Sequence, residues 1–153
     1  EAVRIWQDEV ADKRPAARDR LMQLWVEAET LRLTNIRAGQ NRKAGNPGPE
    51  GSIAKLKFAE VNMAIYELCV DLLGADGMVG FDYETRHGAG LGLTGPAGMS
   101  RRMFLRARAN SIEGGTSEIQ RNILGERVLG LPGEPRVDKD MPFCDLDSRA
   151  AAP

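Results

Sequence analysis

The sequence predicts an all-α fold, an up-and-down bundle of four main helices. Two long stretches repeat their apolar residues at three- and four-residue steps, which is the period of one helix face. Breaks rich in glycine and proline separate the stretches, and no segment alternates apolar and polar residues as a half-buried strand does. A chain of 153 residues without an internal repeat is expected to form one domain, residues 1–133, followed by a surface or disordered tail at 134–153.

The first main helix is predicted from Pro15 to Ala38. Proline suits the first turn of a helix because its missing N–H has no partner there in any case. A short helical piece is predicted before it, from Glu1 to Asp12, with Asp12 as a candidate cap. One apolar stripe along the main helix is expected to face the core, and it consists of Leu21, Leu24, Trp25, Ala28, Leu31 and Asn35.

The second main helix is predicted from Ser52 to Leu73, after a break at Gly39–Gly51. Its apolar face is broad, which implies contact with more than one neighbour and favours association of chains. This face consists of Ile53, Leu56, Val61, Ala64, Ile65, Leu68, Cys69, Leu72 and Leu73. Gly74 ends the helix, and a long loop is expected up to Gly95, with Phe81 and Tyr83 as candidate anchors.

Two shorter helices complete the predicted bundle, Pro96–Ala109 and Ser117–Leu129, and the second of them starts at Thr116 or Ser117. Ser117 and Gln120 have the spacing of a capping box, in which each side chain pairs with a backbone N–H of the first turn. Gly130 and Pro132 terminate the last helix, because glycine accepts a left-handed conformation and proline cannot continue the helical hydrogen bonds.

Composition argues against several classes of protein. A formal net charge of −1 does not fit a general nucleic-acid binder, and the arginines clustered at 101, 102, 106 and 108 are interpreted as a solvated helix face. The lone His87 has no partner at metal-ligand spacing, and Cys69 and Cys144 lie far apart, so no metal site is expected. No apolar run reaches about 18 residues and no signal peptide precedes the first helix, which predicts a cytoplasmic protein. The opening "EAVRIWQDEV" is already amphipathic, which suggests a start inside a longer protein.

The segment Glu113-Gly114-Gly115-Thr116 is the candidate functional motif. Glycines allow a ligand to approach the backbone, and the start of the following helix offers free N–H groups and the positive end of a dipole. A carboxylate beside such a site could accept a proton. From these residues alone, however, a simple glycine-containing loop into a capped helix is the better explanation.

A longer stretch of sequence around this motif favours the functional interpretation over a simple loop. "GGTSEIQRNILGERVLGLP" resembles the end of the acyl-CoA dehydrogenase family. "SIAKLKFAEVNMAIYELCVDLLGADGM" is similar to the family's penultimate long helix and its glycine turn, and "ARDRLMQLWVEAETLRLTNIRAG" fits the helix before it. The resemblance covers Pro15 to Pro132. It implies the C-terminal four-helix bundle of a three-part subunit, which forms a tetramer core and helps to hold FAD and the acyl-CoA.

The resemblance also implies a reaction, the removal of two hydrogens across the Cα–Cβ bond of an acyl-CoA, as in fatty acid metabolism. A glutamate takes the α-proton, and the β-hydrogen leaves as hydride to FAD. An acceptor of the electron-transferring flavoprotein type and a homo-oligomer or mixed tetramer are the implied partners. The isolated chain is expected neither to hold FAD nor to be active alone.

The location of the catalytic base has three interpretations. In many family members the base lies two residues before the threonine of the GTSE motif, and here that position is Gly114. Glu113, one residue earlier, could serve if the loop shifts. The base could instead lie on an upstream helix, as in other members, or the chain could be a non-catalytic helical module of a mixed assembly. A helical bundle unrelated to the family is the remaining alternative.

The resemblance assigns FAD contacts to five residues of the chain, which are Thr116, Glu118, Gly115, Gly74 and Asp71. The first three belong to the GTSE motif. The turn "DLLGADG" matches the family's "QxxGGxG", which approaches the diphosphate of a neighbouring subunit's FAD. Here Asp71 replaces the glutamine and Ala75 the second glycine. A carboxylate facing a diphosphate is unfavourable unless it turns away or pairs with a basic group.

Overall fold

The computed structural model describes residues 1–10, 13–78, 95–133 and 142. These residues are helical with connecting turns and contain no strand, which confirms the predicted all-α class. The helices are α1 (Ala2–Asp8), α2 (Pro15–Lys43), α3 (Glu50–Leu73), α4 (Ala75–Met78), α5 (Gly95–Ala107) and α6 (Ser117–Arg127), with a 3-10 turn at Arg108–Ser111. No described helix combines the length and the apolar character needed to cross a bilayer.

Helix α2 begins at Pro15 as predicted but is longer than the sequence suggested. It continues to Lys43, so the break predicted to begin at Gly39 was wrong. A single glycine inside a long helix costs only about 1 kcal/mol, which packing offsets. The last turn contains Arg42 and Lys43, whose charges suit the negative end of the helix dipole. The predicted cap Asp12 lies outside the described residues, and the observed N-cap, Arg14, makes no side-chain capping bond.

The end of α2 is tied to the start of α3 through Glu50. The carboxylate is buried and accepts a hydrogen bond of 2.6 Å from the Asn41 amide, and Arg37 lies 3.4 Å away. Because a buried carboxylate needs such partners, this contact determines how the short connection folds α3 back along α2.

Helix α3 is the centre of the bundle. It contacts α1, α2, α5 and α6, which confirms that its broad apolar face has more than one neighbour. These neighbours belong to the same chain, so the breadth of this face does not by itself require a second copy. The helix ends at Leu73 as predicted, where Gly74 turns the chain with φ +58°.

The core lies between α1, α2 and the C-terminal half of α3. Its buried members are Ala2, Ile5, Leu21, Leu24, Leu68 and Cys69. Cys69 is a core residue as predicted, and burial raises the pKa of its thiol to about 11. Trp25 was expected in this core, but it is 55% exposed. It follows the buried Leu24 by one residue, a rotation of about 100° around the helix, and so lies at the edge of the exposed face that contains Met22 and Val26.

The remaining boundaries differ little from the predictions. The loop expected after Gly74 begins with the short helix α4, and residues 79–94, with Phe81, Tyr83 and His87, lie outside the described residues. Helix α5 and its 3-10 turn reach Ser111, two residues beyond the predicted end. Helix α6 ends at Arg127, and Gly130 follows with φ +67°. Apart from residue 142, the tail at 134–153 is not described, so the division at residue 133 stays a prediction.

Candidate functional site

The residues Glu113–Thr116, called the pivot below, lead from the 3-10 turn into α6. Gly114 has φ +66° and Gly115 has φ +94°, a pair of conformations that L side chains rarely adopt. A Cβ atom on Gly115 would lie 2.8 Å from the Nε2 atom of Gln120. Backbone conformation therefore requires the two glycines here, whatever else the segment does.

Thr116, not Ser117, caps α6. Its hydroxyl oxygen accepts a hydrogen bond of 3.3 Å from the backbone N–H of Ile119, and its backbone is extended with ψ 164°. The predicted Ser117–Gln120 capping box is therefore wrong. Gln120 points back across the pivot instead, and its side-chain amide donates to the carbonyl of Gly114 at 3.2 Å. The glycine conformations decide this register, because they turn the chain before Thr116 rather than after it.

Glu118 lies beside Thr116 in the first turn of α6. The pKa of its carboxyl is lowered, first because its own backbone N–H donates to it and then because the Thr116 hydroxyl does. The structure thus brings Gly115, Thr116 and Glu118 together at one helix start. This start carries bare glycine backbone, a hydroxyl and an exposed carboxylate.

Glu113 is held by two partners on the preceding helical segment. Arg106 Nη2 lies 2.8 and 3.0 Å from the two carboxylate oxygens, and the Asn110 amide donates to one of them at 2.7 Å. The Arg106 hydrogen bond is the first cause of a lowered pKa for this carboxyl. A carboxylate stabilised as the anion is a weak proton acceptor, so this arrangement argues against Glu113 as a base.

Part of the predicted solvated arginine face has a structural role. Arg108 pairs with Glu67 of α3 at 2.7 Å, and its guanidinium carbon lies 4.6 Å from the centre of the Phe104 ring. Together with the Arg106–Glu113 pair, this contact orients the 3-10 turn that precedes the pivot.

Two residues of α3 that sequence reasoning missed hold the pivot in place. The Lys55 ammonium group donates to the carbonyl oxygen of Gly115. The Asn62 amide donates to Asn110 at 2.8 Å, and Asn110 in turn holds Glu113. Lys55 and Asn62 are seven residues apart, which places them on one face of the helix. Two polar residues at that spacing beside the apolar face of α3 were the sequence signal that could have indicated these contacts.

Asp71 and Gly74 lie elsewhere. Arg20 Nη1 of α2 lies 2.6 Å from a carboxylate oxygen of Asp71, so the basic partner that this aspartate needs comes from its own chain. Asp71 follows Lys55 by 16 residues, which is about 24 Å along a helix that rises 1.5 Å per residue. The structure therefore separates the five candidate FAD residues into two groups near opposite ends of α3.

The structure also bears on metal binding. Within the described ranges, no group of three or more histidine, cysteine, aspartate or glutamate side chains is arranged to hold a metal ion.

Known proteins resemble this chain over most of its length. The family model described as "Acyl-CoA dehydrogenase, C-terminal domain" matches residues 3–129. A protein of Mycobacterium tuberculosis called acyl-CoA dehydrogenase IpdE1 is 33% identical over 122 residues, which are 80% of this chain and 28% of that protein. The protein of the same name from Mycolicibacterium smegmatis is 32% identical over 120 residues, 78% of this chain and 26% of that protein. The chain therefore spans only about a quarter of the length of these relatives.

A solved structure, the Tcur3481-Tcur3483 steroid ACAD, has the same fold. It matches with a TM-score of 0.68 at 20% sequence identity, over 87% of this chain and 35% of that chain. The family resemblance read from the GTSE motif and from the helix ending at Gly74 is confirmed by these comparisons.

Proposed function

This chain belongs to the acyl-CoA dehydrogenase family as its C-terminal domain, and from that premise we propose that it forms part of a flavin-dependent acyl-CoA dehydrogenase. The whole protein would introduce a Cα–Cβ double bond into an acyl-CoA thioester. The observation that carries this proposal is the pivot, where two left-handed glycines lead into a threonine-capped helix start.

The pivot residues fit the contacts that FAD would need. Gly114 is exposed, and among the described residues outside its chain neighbours only the Lys55 side chain, at 3.9 Å, lies within 4 Å of where a Cβ atom would stand. A flat ring or a polar chain can therefore approach the backbone there beside the Lys55 side chain. Thr116 offers a hydroxyl group and Glu118 an exposed carboxylate at the same point. FAD, when bound, supplies the acceptor for the β-hydrogen as hydride.

The proton acceptor in this proposal lies outside the chain. Gly114 has no side chain, and Glu113 is held as the anion by Arg106 and Asn110. A base on an upstream helix of the full protein then removes the α-proton. The residues of this chain position the helix start and leave room beside it.

The two groups of FAD residues serve different cofactors in this proposal. Because Asp71 lies about 24 Å along α3 from Lys55 and Gly74 lies beyond it, the pivot and the glycine turn face different regions. We therefore assign the pivot to one FAD and the turn to the FAD of a neighbouring subunit. The Arg20–Asp71 pair at 2.6 Å places a positive charge beside this carboxylate, which lowers the repulsion that it would exert on a diphosphate.

The experiment that tests this function uses the full-length protein that contains this chain. It is assayed with FAD, an electron-transferring flavoprotein-type acceptor and straight-chain, branched and steroid-derived acyl-CoAs. The steroid arm is included because the similar solved structure is called a steroid ACAD. Flavin reduction by any of these acyl-CoAs supports the proposal, and a protein that neither holds FAD nor reduces it with any of them contradicts it.

Two substitutions in that protein separate the roles of the pivot residues. Glu113→Gln is expected to keep most of the turnover, because its carboxylate pairs with Arg106 rather than facing a ligand. Thr116→Val is expected to weaken FAD retention about tenfold, because it removes one hydroxyl hydrogen bond while keeping the shape. Both are measured by steady-state turnover and by FAD release on dilution. Loss of turnover in Glu113→Gln with FAD still bound would mean that Glu113 is the base.

A second candidate function is a non-catalytic helical module in a mixed assembly. The absence of a carboxylate at Gly114 favours it, because the GTSE motif of many relatives supplies the base at that position. In this case the full-length protein would show no turnover alone and would gain it only in complex with a second, base-bearing subunit.

Association of chains is proposed to use α2. Several large apolar side chains on this helix are between 45% and 55% exposed, and they are Met22, Trp25, Val26, Leu33 and Ile36. Their spacing places them on one face, which is not the face of Leu21 and Leu24 that packs in the core. Glu29, which pairs with Arg32, interrupts this face between Val26 and Leu33. Exposed apolar side chains gathered on one helix face are typical of an interface between proteins. This face is called the α2 stripe below.

Trp25→Glu is therefore expected to reduce self-association, because it replaces the largest apolar side chain of the α2 stripe with a charge. Light scattering at several concentrations measures the effect, with a dimer or tetramer expected for the unsubstituted chain. Leu105→Glu on α5 is the matched control, since Leu105 is 71% exposed and lies outside the stripe. A monomeric unsubstituted chain at high concentration contradicts the proposal, as does equal loss in both variants.

A further inference from the structure

We propose that Lys55 is a positioning residue for the start of α6. Its ammonium group reaches from α3 to the Gly115 carbonyl oxygen and determines the direction in which the pivot presents its backbone. This inference rests on the proposed function for the identity of the ligand, FAD, but the contact itself belongs to the described structure.

The direction of the pivot follows from the geometry of the peptide bond. In a trans peptide the carbonyl and the following N–H point in opposite directions. Lys55 holds the Gly115 carbonyl toward α3, so the N–H of Thr116 points away from α3. Gln120 holds the Gly114 carbonyl at 3.2 Å and orients the N–H of Gly115 in the same manner. Two side chains thus orient two successive N–H groups at a helix start.

The two glycines of the pivot need these contacts in order to keep one backbone conformation. Two consecutive glycines have the largest conformational freedom of any dipeptide, and without outside contacts they would sample many backbone shapes. Thr116 caps α6 from one side only and leaves the conformation of the preceding peptides open. The Lys55 and Gln120 contacts supply the restraint, so that the helix start is formed before a ligand arrives.

Lys55 also places a positive charge between two carboxylates. Glu113 lies before the glycines and Glu118 lies after them, and both have lowered pKa values. For Glu113 the first cause is the Arg106 hydrogen bond, and for Glu118 it is its own backbone N–H; the charge of Lys55 lowers both pKa values further. Arg106 already pairs with Glu113 and Arg121 with Glu118, and Lys55 adds a further positive charge that attracts an anionic ligand. Lys55 is partly buried, where such an interaction is screened less than at the surface.

Lys57 provides a matched control on the same helix. Its ammonium group lies 2.9 Å from Glu27 of α2 and 3.8 Å from Glu60, so it makes ordinary exposed ion pairs. It has the same charge and length as Lys55 and lies on the same helix, but its contacts are with two carboxylates and not with the backbone of the pivot. One of these carboxylates, Glu60, also pairs with Arg121 of α6 at 3.1 Å.

The experiment uses four variants of the full-length protein. Lys55→Met removes both the donor and the charge, Lys55→Gln keeps a donor without the charge, and Lys55→Arg keeps both. Lys57→Met is the control. Hydrogen exchange of the amides at 112–119 and the dissociation constant for FAD are measured for each variant.

Lys55→Met is expected to speed exchange at 112–119 about tenfold and to weaken FAD binding about tenfold, the size of one lost charge-assisted hydrogen bond. Lys55→Arg is expected to restore both quantities to near the unsubstituted values. Lys55→Gln is expected to restore exchange but not FAD affinity, which separates the contact from the charge. If Lys55→Met does not fold, the comparison of Lys55→Arg with Lys55→Gln still tests the role of Lys55.

Unchanged exchange at 112–119 in Lys55→Met overturns the inference, and so does an equal change in Lys57→Met. A loss of exchange protection across the whole chain in every Lys55 variant means a general structural role and overturns it too. If the unsubstituted protein holds no FAD, the proposed function fails while the exchange measurement still decides whether Lys55 holds the pivot.

Discussion

Gly115→Ala is expected to destabilise the chain by about 2 kcal/mol and to weaken FAD retention in the full protein. The first reason is the backbone, because φ +94° is a conformation that costs an L-residue about 1–3 kcal/mol. The second reason is the new Cβ atom, which would stand 2.8 Å from Gln120 Nε2. The Gln120 side chain would have to move and release the Gly114 carbonyl. Urea unfolding followed by circular dichroism measures the free energy of unfolding.

Two further alanine variants separate these causes. Gly114→Ala has the same left-handed strain at φ +66° but open space around the new methyl group, so its cost is expected to be smaller, about 1 kcal/mol. Gly39→Ala lies within α2, where no atom of another described segment would stand within 4 Å of the new methyl group, and it is expected to stabilise the chain by about 1 kcal/mol. A Gly115→Ala chain as stable as the Gly39→Ala chain would contradict the described pivot.

Leu68→Ala is expected to lower the free energy of unfolding by about 3 kcal/mol, within the range for buried leucines. The side chain is 2% exposed and lies on α3 in the core formed with α1 and α2. Its removal leaves a cavity, because the long helices on either side are held by many other contacts and cannot close it fully. The same urea titration gives the value.

Leu105→Ala is the control for that measurement. Leu105 is a leucine of the same size but is 71% exposed on α5, so the expected change is within about 0.5 kcal/mol. A loss below 1 kcal/mol for Leu68→Ala, or equal losses in both variants, would mean that the centre of the bundle is not where the structure places it.

Local sequence features predicted that the helices exist, but they predicted some helix ends and caps wrongly. Pro15 marked the start of α2, and Gly74 marked the end of α3, because each acts on its own backbone. The end of α2 was predicted wrongly at Gly39. A single glycine lowers the stability of a long helix only slightly, and tertiary packing offsets that cost. The capping residue of α6 was misplaced by one position because the conformations of Gly114 and Gly115 decide the register.

The candidate site was predictable in its residue types and not in its contacts. Thr116 and Glu118 follow from the motif, and the structure places them side by side. Lys55 was missed because its partner is a backbone carbonyl 60 residues away, and a carbonyl leaves no mark in the sequence. The pairing of Glu113 with Arg106 was missed for a related reason, since two charges seven residues apart across a turn meet only if the turn has the right shape.

The sequence by itself determined the all-α class, the order of the main helices and the motif that leads into α6, because apolar period, proline, glycine and capping residues act over a few positions. Only the tertiary structure decided which faces are covered and which charges meet. Helix α2 has one apolar face in the core and a second, the α2 stripe, in solvent. The helical period identifies both faces but does not show which of them is buried. Asp71 meets Arg20, and Lys55 meets Gly115, because α3 brings together segments that lie far apart along the chain.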